Sequence, residues 1–101
     1  MNEKYLQALQ DAIRNTHGCA SRHTGTVAVE EAFQGKIVWQ GDVEVFDLIA
    51  HPRARQGYAW GFQDGAGKWQ YVAVLQVPPV DSPRKAVQAY ILAVREGKAG
   101  A

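Results

Sequence analysis

The hydrophobic period of this chain changes twice, and that change limits its possible folds more than any single residue does. In EKYLQALQDAIRN the apolar residues Tyr5, Leu6, Leu9 and Ile13 recur every three to four positions, the spacing of one helical face. From Thr26 to Val77 the spacing falls to two, in runs broken by Gly, Pro and Asp, which predicts strands. In PRKAVQAYILAVR it returns to helical, with Ala86, Val87, Tyr90, Ile91 and Val94 in one stripe. The expected fold is α+β and two-layered: a four-stranded antiparallel meander sheet flanked by N- and C-terminal helices, both on one face.

Punctuation and register sharpen this outline. Gly18 suits the end of the first helix, because it adopts positive φ without penalty. Ser82 can cap the second helix, and Pro83 fits its first position. Between TVAVEEAF and IVWQGDVEVFDL, an odd loop over Gln34, Gly35 and Lys36 sets Phe33 against Ile37, Glu31 against Trp39 and Val27 against Val43. Gly41 in mid-strand predicts a bulge or bend. In the second hairpin, around DGAG, pairing Gln63 with Lys68 places Phe62 against Trp69 and Trp60 against Tyr71. Tyr58, Trp60, Phe62, Trp69 and Tyr71 then share one face, packed beneath the helices. Glu31 falls among Val27, Val29, Phe33 and Trp39, so it must reach a rim or find a partner.

With 101 residues, the chain predicts a single domain over residues 1–97 and a frayed tail at 98–101. Hydrophobic residues form 47% and charged residues 21%, a globular balance that argues against intrinsic disorder. A formal net charge of +1 leaves no strong global field, so nucleic acid is not the expected partner. Cys19 is the single cysteine, which excludes an internal disulfide and fits a reducing compartment. The polar N-terminal stretch predicts no secretory signal, and no apolar run reaches the ~20 residues that span a bilayer. The expected location is the cytoplasm, away from membranes.

The stretch HPRARQGYAWGF, residues 51–62, holds the densest chemistry. GYAW, residues 57–60, resembles the aromatic strand of RNA-recognition domains, whose rings stack on bases. That resemblance implies stacking through Tyr58 and Trp60. The chain departs from the pattern at Gln56, Gly61 and Gln63, and its element order differs from that family's. An RNA or DNA contact would draw its cations from Arg53, Arg55, Arg84 and Lys85. The short spacing of His51, Arg53 and Arg55 suits a small anionic ligand better than a long track.

Other constellations carry less. His17, Cys19 and His23, with His51, have no spacing known for zinc, so no metal or cofactor is expected. Cys19 follows a helix C-terminus, where the dipole opposes thiolate formation. GFQDGAGKW has one residue too many for a phosphate loop and a Trp where Ser or Thr should stand. No catalytic residue is assigned. An enzyme built on this chain would use His51 or Cys19, with Arg53 or Arg55 steadying an anionic substrate.

The second sheet face gives the leading expectation. Val38, Phe46, Leu48, Val72 and Val74, interleaved with Gln40, Asp42, Glu44, Gln70 and Gln76, are too apolar for plain solvent. A homodimer contact or a groove for a protein or small-molecule ligand would cover them. The sequence thus predicts a small, non-catalytic binding domain that self-associates. The alternatives are an anion-binding protein or enzyme using the 51–56 loop, and a weak nucleic-acid binder.

Overall fold

The computed structural model describes residues 3–95. Helix α1 (Glu3–His17) is followed by strands β1 (Ala20–Phe33), β2 (Lys36–Ile49), β3 (Gln56–Gln63) and β4 (Trp69–Leu75), then by helix α2 (Pro83–Arg95). The strands form one open antiparallel sheet in chain order, the meander expected from the sequence. Both helix-end signals act as read: Gly18 has φ 74° and donates its N–H to the Arg14 carbonyl at 2.8 Å, and the Ser82 hydroxyl accepts the Lys85 N–H. The expected end of the second helix at Gly97 and the tail at 98–101 lie outside the described residues. No described helix is long and apolar enough to cross a membrane.

The expectation that both helices share one face fails. Ala59 packs with Leu9, Ile13 and Phe46 under α1, whereas its neighbour Trp60 packs with Ala86, Val87, Val29 and Val43 under α2. Successive strand residues point to opposite faces, so the helices sandwich the sheet between them. The cause is written into β3. Its odd positions are Gly57, Ala59 and Gly61, and its even ones Tyr58, Trp60 and Phe62. The small-residue face lets α1 settle close to the backbone. The aromatic face meets α2, where Trp60 stands edge-on to Tyr90 at 5.5 Å between centroids. Full burial of Leu9 and Ile13 contributes roughly 1.5–3 kcal/mol each.

The five rings are also divided. The second turn is one residue shorter than expected: Asp64 pairs with Lys68, and Gly67 at φ 79° closes the loop. Gln63 therefore opposes Trp69, Trp60 opposes Val72 and Tyr58 opposes Val74. That one-residue offset turns Trp69 and Tyr71 to the α1 side, where they stack on each other, both substantially exposed.

The first hairpin reaches the expected pairings by another route. Gln34 and Gly35, at φ 52° and 79°, make a two-residue turn that opposes Phe33 to Lys36. A bulge at Val38 then restores Glu31 to Trp39 and Val27 to Val43. Gly41 pairs in register with Val29 and carries no bulge; the second irregularity lies between His23 and Gly25.

The ladder joining β2 to β3 is short. It runs only from Glu44 opposite Ala59 to Asp47 opposite Gln56. Extended by two more residues, it would set Asp42 against Gly61. There the Tyr5 hydroxyl of α1 accepts the Gly61 N–H at 2.8 Å instead. Beyond that point β2 and β3 part, and a concavity opens between them.

Candidate functional site

The gap opens a cavity of about 250 Å³ lined by Tyr5, Trp39, Asp42, Glu44, Trp60 and Phe62, with Gln40 and the two glycines Gly41 and Gly61 between them. Each side chain has a distinct origin. Trp39 comes from the α2 side of β2, and Trp60 and Phe62 from the same side of β3, with the Trp39 and Trp60 rings edge-on at 5.5 Å. Tyr5 enters from α1. Asp42 is exposed, and Glu44 is only 1% exposed.

Burying a carboxylate requires hydrogen-bond partners. Glu44 Oε1 accepts from His23 Nε2 at 2.8 Å and from the Thr26 hydroxyl, both on β1. The Tyr5 phenol is held above its ordinary value of 10.0, chiefly by burial and further by the nearby charges of Glu44 and Asp42. It therefore keeps its proton across the physiological range. Trp60 is buried with no hydrogen-bond partner for its indole N–H among the described residues.

A second concavity lies at the outer end of the first hairpin. Phe33 and Val38 face Ile91 and Leu92 of α2 across a groove rimmed by Glu31, Gln88 and Arg95. Glu31 finds the partners its sequence position demands: Arg84 donates to Oε2, and Gln88 donates to Oε1 at 3.0 Å. Arg84 also donates to the Glu30 carbonyl, and Arg95 lies 5.0 Å above the Phe33 ring.

The residues read as candidates from sequence are scattered. Tyr58 and Trp60 are each 2% exposed under α2, which denies them to a stacked base. Arg84 is engaged with Glu31 and Lys85 with Asp81, at 3.2 Å for the latter pair. Arg53 and Arg55 are exposed. Arg55 shares an open cleft with Arg22, Asp47, Leu48 and Ile49, where Asp47 already meets Arg22 at 3.2 Å. His51 shapes its own loop: Nδ1 accepts the N–H groups of Arg53 and Ala54 at 3.0 and 3.1 Å. The proposed interface set is divided as well. Phe46 and Leu48 pack under α1, Val72 and Val74 pack on the α2 side, and Val38 alone stays substantially exposed.

The three histidines serve separate elements. His17 Nε2 donates to the Ala73 carbonyl on the outer edge of β4 at 2.9 Å, while His23 serves Glu44 and His51 its loop. Cys19 packs against the α1 core. Among the described residues no three His, Cys, Asp or Glu side chains gather around one metal position.

Sequence reasoning missed Tyr5, Trp39, Asp42 and Glu44 as one site. The available signal was the small-residue stripe Gly57, Ala59, Gly61, which calls for a helix on that face and brings Tyr5 to Gly61. Comparison of the chain with protein-family models, curated proteins and solved structures gave no match.

Proposed function

We propose that the domain acts by binding rather than by catalysis, and that its partner is a second copy of the chain held at the outer hairpin and α2. The observation that carries this reading is the convergence of Phe33, Val38 and Leu92, each 49–60% exposed, on one groove. Large apolar side chains gathered so closely are seldom left to water by a monomer. The groove between the hairpin and α2 offers a concave apolar floor, and its rim carries both signs of charge, Glu31 and Arg95. A two-fold contact sets a patch against itself, so a rim of mixed charge suits it where a rim of one sign would repel. The lone Cys19, packed against the α1 core, fits residence in the reducing cytoplasm.

Light scattering after size exclusion tests this directly. The wild-type chain is expected to show a mass that rises to the dimer with concentration. Leu92→Asp, on the exposed side of α2, is expected to hold it at the monomer with unchanged helix and sheet content. A wild-type protein that stays monomeric at high micromolar concentration would remove the reading.

A further inference from the structure

We propose that the gap between β2 and β3 is a binding site for an alkylammonium group. This does not depend on self-association, since the gap and the outer groove share none of their lining residues.

Four observations converge on that chemistry. First, the wall is aromatic on several sides: Tyr5, Trp39 and Phe62 stand half-buried around one space, and Trp60, only 2% exposed, borders it from behind. Ring quadrupoles attract cations, tryptophan most strongly, and the effect grows as water is excluded. Second, among the described residues the ionisable side chains in the wall besides the Tyr5 phenol are two carboxylates, Asp42 at the surface and Glu44 inside. Among the described residues no lysine, arginine or histidine lines the cavity, so an anion would meet rings and like charge. Third, Glu44 is buried, with its two described hydrogen bonds coming from a hydroxyl and an imidazole on the β1 side. Those bonds compensate its burial from behind, and the carboxylate still borders the cavity as a second source of negative potential beside Asp42. Fourth, the volume of about 250 Å³ lies just under the ~300 Å³ lower bound of sites for drug-sized molecules. That volume suits a small headgroup. A bare metal ion is poorly served, because no third ligating side chain stands with the two carboxylates among the described residues.

The site is built into the fold. It exists because the β2–β3 ladder stops at Glu44 and Ala59, and because Tyr5 takes the Gly61 N–H that Asp42 would otherwise reach. The ammonium could belong to a free small molecule or to a methylated lysine side chain, and the two sources can be separated by experiment.

The test is titration of tryptophan fluorescence in the full chain, since Trp39 and Trp60 both line the cavity. The probes are choline chloride, sodium chloride at equal ionic strength, and the neutral carbon isostere of choline bearing a tert-butyl group. A short peptide carrying trimethyl-lysine is the fourth probe. Choline or the peptide is expected to give a saturable change that sodium chloride does not, with the isostere weaker by about tenfold. The tighter of the two names the source. Asp42→Asn, an exposed change that leaves both cores intact, is expected to weaken binding by roughly threefold to tenfold. No saturation with either ammonium, equal binding of the isostere, or an unchanged affinity in Asp42→Asn would each overturn the assignment.

Discussion

Gly61 shows how much one missing side chain decides. A Cβ built there would stand 3.0 Å from the Tyr5 and Tyr71 rings, closer than nearly all real contacts of that kind. Tyr5 is held in place by its bond to the Gly61 N–H, whereas Tyr71, substantially exposed on Trp69, has room to turn outward. Gly61→Ala is expected to destabilise the fold by about 1–3 kcal/mol, the usual cost of overpacking, measured by urea unfolding. A neutral result would mean that α1 shifts easily on the sheet. Glu31 is the counterpart that the sequence did flag. Its apolar neighbours required a partner, but nothing in the spacing pointed to Arg84 and Gln88, fifty-odd residues downstream. Long-range pairing of this kind depends on where α2 lands, and local sequence does not encode that.

At the level of elements, six segments and their order were legible because hydrophobic period is a local property. Turn length was less so, and its two outcomes differ instructively. In the first hairpin a short turn and a bulge compensate, so the inner pairings come out as a longer loop would set them. In the second hairpin nothing compensates, and one residue reverses the facing of Trp69 and Tyr71. The determinant there is Asp64. Its Oδ1 accepts the Ala66 and Lys68 N–H groups at 2.9 and 3.0 Å, and its Oδ2 accepts from Gln70. Those bonds, Gln70 first and then the two backbone N–H groups, hold the carboxyl below its ordinary value of 3.8. A depressed carboxyl stabilises the fold above its unfolded value, and that contribution is lost as pH falls through the folded one. NMR titration is expected to place the Asp64 midpoint below those of unbonded aspartates. In Asp64→Ala the hairpin's acid sensitivity should disappear; a midpoint at the ordinary value would refute the cap.

For the whole molecule, the sequence supplied the inventory but not the sides. Two amphipathic helices and a sheet with apolar residues on both faces are equally consistent with a roofed sheet and with a filled sandwich. What distinguishes them is the alternation of small and large residues in β3, which assigns each helix its own face. The result is two cores sharing one strand. Tyr58, Ala59 and Trp60 lie between both helices, while the Phe33–Lys36 end of the first hairpin reaches past β3 altogether. Amide hydrogen exchange should follow that layout, slowest at residues 58–60 and fastest at the outer turn. Uniform protection along β1 and β2 would contradict it.

The four rungs between Glu44–Asp47 and Gln56–Ala59 carry a mechanical consequence. With so few cross-links to β3, the outer part of the first hairpin is steadied mainly by α2, through Glu31 with Arg84 and Gln88, and the ladder stops where the aromatic cleft begins. A partner bound at the hairpin tip would bear on the width of that cleft, and a group wedged into the cleft would restrain the tip. Thermodynamic reciprocity would then make each event change the other by the same factor.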